Sequence, residues 1–246
     1  MIKLSRGERP AELTDEICEE LTRLYKENKS RDVWNSPKIK KPLKEALLDM
    51  SYNKCVYCEC GIGIESKDVT IDHFLPKSTY EDKVVEWENL LPACLRCNRS
   101  KSDNEEALVN PCVDEPKEYI GVSSENPYRF KELNAVGKNT IRKIGLNDIE
   151  RVMVQRMAEW EDIHQHLEEI YEDLLEYGYR KTYKMRFERL LGKCTIPNSY
   201  AAIKATNMLR NAEYTKIKEI LLANGAWTDK LGDIEEELKS ISLQIV

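Results

Sequence analysis

No stretch of this sequence approaches the roughly 18 apolar residues that a bilayer-spanning helix needs. The opening MIKLSRGERP has no apolar segment behind its basic residues, so export is not expected and a cytoplasmic location is. An excess of positive charge is missing too. Lys and Arg number 38 against 44 Asp and Glu, a formal net charge of −6. Because affinity for phosphates comes largely from Lys and Arg, this balance argues against a strong grip on nucleic acid by the whole surface. Any such binding is local or assisted by a partner. The chain also lacks an internal repeat, a low-complexity linker, and an appended helix-turn-helix or basic arm of the kind that reads DNA sequence.

What is present suits a folded chain. Hydrophobic residues make up 41% and charged residues 33% of 246 residues, enough apolar material for one large domain or two small ones. Leu13, Ile17, Leu21 and Leu24 recur at helical spacing behind Thr14 and Asp15, and Ile39, Leu43, Ala46 and Leu47 form a second set. Between them Trp34-Asn35-Ser36-Pro37 reads as a turn, since Pro37 biases Ser36 away from helix. From Cys55 to about Pro111 the texture changes to short apolar pieces broken by Gly61, Gly63, Pro76 and Pro92. Helical periodicity returns after Glu132. It is clearest from Ile149 through Trp160 and Leu167 to Leu174, with Gly178 as the stop. Further helices are predicted over 183–191, from an N-cap at Ser199 to Leu209, over 214–222 and over 233–241. The division predicted is an N-terminal helical segment over 1–50, a small irregular module over 51–112 and a C-terminal helical region over 113–246.

Four of the 8 cysteines fall in two C-x-x-C pairs, Cys55 with Cys58 and Cys94 with Cys97. In a reduced chain that spacing lets two thiolates from one tight turn share a tetrahedral Zn²⁺, and two pairs complete a closed site. Buried thiols without a metal are the plain alternative, and a redox C-x-x-C lacks its βαβ setting here. A site with four cysteine ligands has no open position, so this zinc staples the fold and leaves the chemistry to another centre. Cys60 lies close enough to compete, but it and Cys18, Cys112 and Cys194 are left out of the ligand set.

Inside the staple, Val69-Thr70-Ile71-Asp72-His73 is a β-branched run that should form a strand. For Asp72 to bind a metal beside a water-activating His73, the strand must bend or bulge there, because neighbours on a strand face opposite ways. After Cys94 the chain looks helical, and Asn98 on its first turn presents an amide oxygen suited to a hard cation. Arg99 and Lys101 add positive charge where a phosphate would lie. A lone histidine is more often a satisfied polar group than a catalyst, and it is this setting that raises His73. His164 and His166, two apart on the long helix, cannot easily share an ion and read as structural or surface groups.

The order C-x-x-C, D-H, N-L and C-x-x-C-N-x-x-K resembles the signature of HNH endonucleases. The resemblance implies a mainly α chain with a small ββα-metal (HNH) module stapled by the four-cysteine zinc site. By it His73 is the general base, Asp72 and Asn98 hold a catalytic Mg²⁺ or Mn²⁺, and Asn89 braces the loop. Asn98 stands where some relatives have His, a difference that bears on metal preference. More narrowly, KCVYCE, IDHFLPKS, WENLLPACLRCNRSK and AAIKATNMLRNAEYTKIKEIL resemble the PtuB-like HNH subunit of Septu-type and retron-associated anti-phage systems. That resemblance implies hydrolysis of DNA phosphodiesters and a Septu-type, PtuA-like ATPase as protein partner. Two rivals stay open: a non-catalytic zinc module that docks nucleic acid or protein, and a standalone restriction or homing nuclease. Because neutral imidazole is the working form, activity should rise as pH passes the His73 pKa, ordinarily about 6.5.

Overall fold

Thr14 and the acidic pair after it start the first helix. The Thr14 side chain accepts the Ile17 N–H, and Asp15 and Glu16 occupy the first turn, where negative charge favours the helix dipole. In the computed structural model, which describes residues 1–63 and 69–246, α1 (Asp15–Glu27) buries Leu21 and Tyr25. A 3-10 turn over Val33–Asn35 leads into α2 (Lys40–Met50), which buries Leu43, Leu47 and Met50. Both helices lie where the apolar spacing places them.

Strand β1 (Val69–His73) pairs antiparallel with β2 (Leu90–Cys94), Asp72 opposite Leu91 and His73 opposite Leu90. The predicted bulge is absent. The register runs regularly to the strand's last residue, and the Phe74 N–H still donates to the Asn89 carbonyl at 2.8 Å. Asp72 and His73 therefore leave the backbone on opposite faces, at the last two positions of the strand. Helix α3 (Leu95–Lys101) begins where β2 stops and packs on both strands, closing a ββα unit.

A second, shorter hairpin follows, β3 (Ile120–Val122) with β4 (Phe130–Glu132). Helix α4 (Ala135–Ile144) packs on it and ends at Gly145, whose φ of 73° is left-handed. The contact is tight: a Cβ on Gly137 would lie 1.9 Å from the Tyr119 carbonyl oxygen. The long periodic segment opens with a π-helical turn over Ile149–Met153 and continues as α5 (Val154–Tyr177), stopping at Gly178 with φ 70°. Its inner face carries Trp160, Ile163, Leu167, Ile170 and Leu174. At its start Arg156 is fully buried, donating to the carbonyls of Tyr128 at 2.6 Å and Leu146 at 2.9 Å and lying over the Phe130 ring.

Helices α6 (Lys181–Gly192), α7 (Ala201–Arg210), α8 (Ala212–Ala223) and α9 (Asp229–Ile241) complete the chain. Residues 201–208 of α7 are all buried, so this helix runs through the interior. Ser199 does not cap it. Tyr200 takes that place in a left-handed conformation, with its N–H given to the Glu59 carbonyl at 3.1 Å.

Two apolar clusters form the core. The first joins the N-terminal helices, the ββα unit and the second hairpin; the second joins α5, α6, α8 and α9. Helix α7 belongs to both, giving Ala202 and Ile203 to the first and Ala205 and Met208 to the second. The stretch before α1 clamps the ββα unit. Arg6 donates to the carbonyls of Trp87 at 2.6 Å and Leu90 at 3.0 Å, and the Trp87 indole donates to the Gly7 carbonyl at 3.0 Å. Among the described residues no helix is long and apolar enough to cross a membrane.

Candidate active site and metal centre

The first knuckle is a tight turn. The Cys55 N–H donates to the Cys60 carbonyl and the Glu59 N–H to the Cys55 carbonyl, each at 2.9 Å, with Glu59 left-handed at φ 63°. The Val56 N–H donates to the Pro92 carbonyl at 3.1 Å, tying the turn to β2. The second knuckle is the junction of β2 and α3, where the Cys94 sulfur accepts the Cys97 N–H and caps the helix. The sulfurs of Cys55, Cys58, Cys94 and Cys97 all lie within 4.8 Å of one another, with Cys58 and Cys94 at 3.9 Å. Tetrahedral zinc, with Zn–S bonds of about 2.3 Å, needs sulfurs roughly 3.8 Å apart, so this donor set fits Zn²⁺. Hydrogen bonding with Cys55 lowers the Cys58 and Cys94 thiols, whereas burial raises Cys55 and hydrogen bonding with Cys55 raises Cys97. Hydrogen bonding with Cys55 also raises the half-buried Cys60 thiol.

Asp72 points from β1 toward α3 and is buried. Its Oδ2 accepts the Tyr57 hydroxyl at 2.5 Å and its Oδ1 the Lys101 ammonium at 3.2 Å. Burial nevertheless holds the Asp72 carboxyl above the usual carboxylate range, despite Lys101 and Tyr57. Burial and the neighbouring Asp72 push the Tyr57 phenol well up, so Tyr57 is a donor here. Asn98 donates to the Thr70 hydroxyl at 3.0 Å, and its Oδ1 makes no hydrogen bond among the described residues. Thr70 and Asp72 share a face of β1, so Asn98 lies beside the carboxylate. An amide oxygen that accepts no protein hydrogen bond among the described residues and a carboxylate on the same side of β1 are donors of the kind a hard divalent cation takes, and both Asp72 oxygens are already held, by Tyr57 and Lys101.

Lys101 corrects the sequence reading. The charge predicted to face a phosphate is 2% exposed and turned inward, donating to Asp72 and, at 2.6 Å, to the His73 carbonyl. A seven-residue helix laid over a hairpin has an inner face, and position 101 falls on it beside Cys97. Arg99 lies on the exposed outer face. Asn89 is buried and ties the loop after β1 to the start of β2: its Oδ1 accepts the Leu75 N–H at 2.7 Å and its amide donates to the carbonyls of Leu75 at 3.1 Å and Lys83 at 3.0 Å.

His73 lies on the other face of β1, 6% exposed. Its Nε2 is 2.8 Å from the Val84 carbonyl oxygen. A carbonyl only accepts, so Nε2 carries the proton and Nδ1 keeps the lone pair. The Trp34 ring meets the imidazole nearly edge-on, with centroids 4.7 Å apart and planes at 75°. Burial pulls the imidazole down to about 4, leaving it neutral at pH 7.

Tyr57, Thr70, Val84 and Trp34 escape the sequence reading. Tyr57 stands in plain view between two cysteines, but a hydrophobic-looking residue in a knuckle gives no hint that its hydroxyl will meet Asp72. Val84 acts through its carbonyl and Trp34 comes from another segment, so no spacing rule finds them. His164 stacks on Trp160 and the His166 Nδ1 meets the Asp162 carbonyl, both on α5 and away from this site.

The HNH endonuclease family matches residues 55–104, the span holding both knuckles, β1, β2 and α3. The Septu protein PtuB of Bacillus thuringiensis is 34% identical over 238 residues, covering 92% of this chain and 89% of that protein. The Septu protein PtuB of Bacillus mycoides (strain KBAB4) is 30% identical across 43% of this chain and 46% of that protein. A likeness spanning most of both chains, with the HNH match lying on the cysteine-bearing ββα unit, means that the chain belongs to the PtuB family of HNH endonucleases.

Proposed function

We propose that this nuclease hydrolyses DNA phosphodiesters as the effector of a Septu-type anti-phage system. The observation that carries the reading is the His73 imidazole, buried, neutral and held by the Val84 carbonyl with Nδ1 as its free lone pair. Nδ1 takes a proton from water, the resulting hydroxide adds to phosphorus, and the bond to the leaving oxygen breaks. Asp72 and Asn98 are the residues that would hold Mg²⁺ or Mn²⁺, which when bound supplies positive charge against the leaving oxygen. Tyr57 and Lys101 keep the Asp72 carboxylate in place, Asn89 braces the loop after His73, and exposed Arg99 is the cation left to meet a phosphate.

Supercoiled plasmid and an RNA of matched length, each incubated with protein and Mg²⁺ or Mn²⁺, test the reading. Wild type should nick the DNA, and His73→Ala should lower the rate by about 10² to 10⁴ at a temperature where the variant is folded and keeps its zinc. Cleavage of DNA by the variant at the wild-type rate would refute the base assignment.

The second part of the proposal is a protein partner, a PtuA-like ATPase. The net charge of −6 and the acidic outer face of α5, with Glu161, Glu168, Glu172 and Glu176, make much of the surface unsuited to DNA. The N-terminal helices and α5 each bury one face in a core and expose another, and it is the acidic charge of α5 that favours its side as the surface for that contact. Co-expression with the ATPase followed by size-exclusion chromatography should give one peak holding both chains; two separate peaks would exclude it.

A further inference from the structure

The side chains around His73 include one that the catalytic reading does not use. Trp34 belongs to the 3-10 turn between α1 and α2, outside the span matched by the HNH family, yet its ring lies against the imidazole. The indole is itself held in place. Tyr25 of α1 packs at a tilt with centroids 6.4 Å apart, and the Lys77 ammonium lies 5.2 Å from the Trp34 ring centre and 6.0 Å from that of Tyr25. The Tyr25 hydroxyl donates to the Lys77 carbonyl at 3.4 Å, so the loop after β1 is tied to the same cluster.

One hydrogen bond at Nε2 fixes where the imidazole is tethered but not its rotation about that tether. Joined to the chain at Cγ and held by that one bond, the ring can still turn about its side-chain torsion as far as the bond bends, and Nδ1 turns with it. A second contact on the ring removes that freedom, and edge-to-face aromatic packing is directional enough to do so. We propose that Trp34, supported by Tyr25 and Lys77, is a positioning residue for the reaction: it sets the rotation of the His73 ring and so aims Nδ1 at the attacking water. The assignment rests on His73 being the general base. Trp34 touches neither substrate nor metal in this role and acts only through His73.

The contact sets the expected size of the effect. Displacing a reacting group by about 1 Å costs on the order of 10²-fold in rate, so loss of the indole should lower kcat by roughly 10- to 100-fold. The KM for DNA should stay within twofold of wild type, a rough bound for a residue that makes no contact with substrate. The experiment compares Trp34→Leu and Trp34→Phe with wild type, His73→Ala and the double variant Trp34→Leu/His73→Ala, using plasmid DNA and Mg²⁺. Trp34→Phe, which keeps an aromatic edge, should recover most of the rate lost in Trp34→Leu. In the His73→Ala background Trp34→Leu should change the residual rate little, because no imidazole is left to position.

An NMR spectrum of the full chain gives a readout apart from activity. The His73 ring protons, assigned by their loss in His73→Ala, should carry a ring-current shift that Trp34→Leu abolishes while Nε2 stays protonated. A rise in KM at unchanged kcat, equal losses in the wild-type and His73→Ala backgrounds, or no loss of rate would each overturn the proposal. If Trp34→Leu fails to fold, Trp34→Met and Trp34→Ile, which also lack an aromatic edge, carry the same comparison, and unchanged ring-proton shifts in them overturn it. Full activity of His73→Ala alone would instead mark failure of the base assignment.

Discussion

Around Asp72 a negative charge has been taken out of water and set against one ammonium and one phenol. A buried pair of this kind adds little net stability while it is intact, but removing one partner costs about 3 to 5 kcal/mol. Lys101→Met keeps the length of the side chain and deletes the charge, so it should lower stability toward that figure in urea unfolding of the zinc-loaded protein. A change of less than about 1 kcal/mol would show that water reaches the carboxylate. His73 titrates in the opposite environment, with no carboxylate to hold its proton. Burial lowers its value to about 4, so the neutral base is formed as pH rises through that value and is complete well below 6.5. The rate under saturating Mg²⁺ should therefore show no rising limb centred near 6.5; a limb there would mean that the ring is solvated in the working enzyme. Both residues were legible as candidates, because D-H at a strand end between two metal knuckles is a specific pattern. Their partners were not, since a hydroxyl, a carbonyl and an indole carry no signature of their own.

The elements divide by how much local signal each needs to form. Helices α1, α2 and α5 carry their apolar stripe in the sequence, with a Thr14 cap at the start of α1 and a Gly178 stop at the end of α5, and stand within a few residues of where that signal puts them. The hairpin of β3 and β4 was invisible, because strands of three residues offer too little alternation to read. The straight register at His73 was misjudged for another reason: a bulge is one way to bring neighbouring side chains to a site, and ending the strand is another. The cap of α7 went astray because a long-range bond from Tyr200 to the first knuckle outbid a local serine. Helix α4 offers a test of packing against propensity. Ala is favoured over Gly inside a helix by about 1 kcal/mol, yet a Cβ at position 137 would meet a backbone carbonyl. Overpacking costs typically about 1 to 3 kcal/mol, and the Tyr119 carbonyl, just before β3, is tied by the Leu133 N–H at 2.9 Å. Gly137→Ala should therefore lower the melting temperature, and a rise would mean that β3 shifts freely.

Across the whole molecule, the four-cysteine site and the HNH pattern were readable because each is a set of chemically demanding residues at fixed spacing. How the long helices share two cores was not, since any amphipathic face can meet any other. The second core contains one charged hub. Glu235 on α9 accepts from Tyr214, Lys218 and Lys239. Burial alone would raise its carboxyl, but the bonds from Lys218, Tyr214 and Lys239 outweigh it and bring the value down to about 2 from 4.5. A carboxylate depressed in the folded state contributes stability that is fully present above 4.5 and is lost as pH falls toward 2. Unfolding of wild type should steepen across that window, and Glu235→Gln should flatten the dependence; identical curves would remove Glu235 from the acid response.

The clamp that Arg6 and Trp87 form across the ββα unit bears on how such a nuclease can be inherited. Residues 55–104 hold the recognisable motif, but the hairpin is fastened by a segment outside it. Recombination that carried the motif alone into a new gene would deliver a hairpin without its fastening. A transferable nuclease unit would therefore need the N-terminal segment together with the motif.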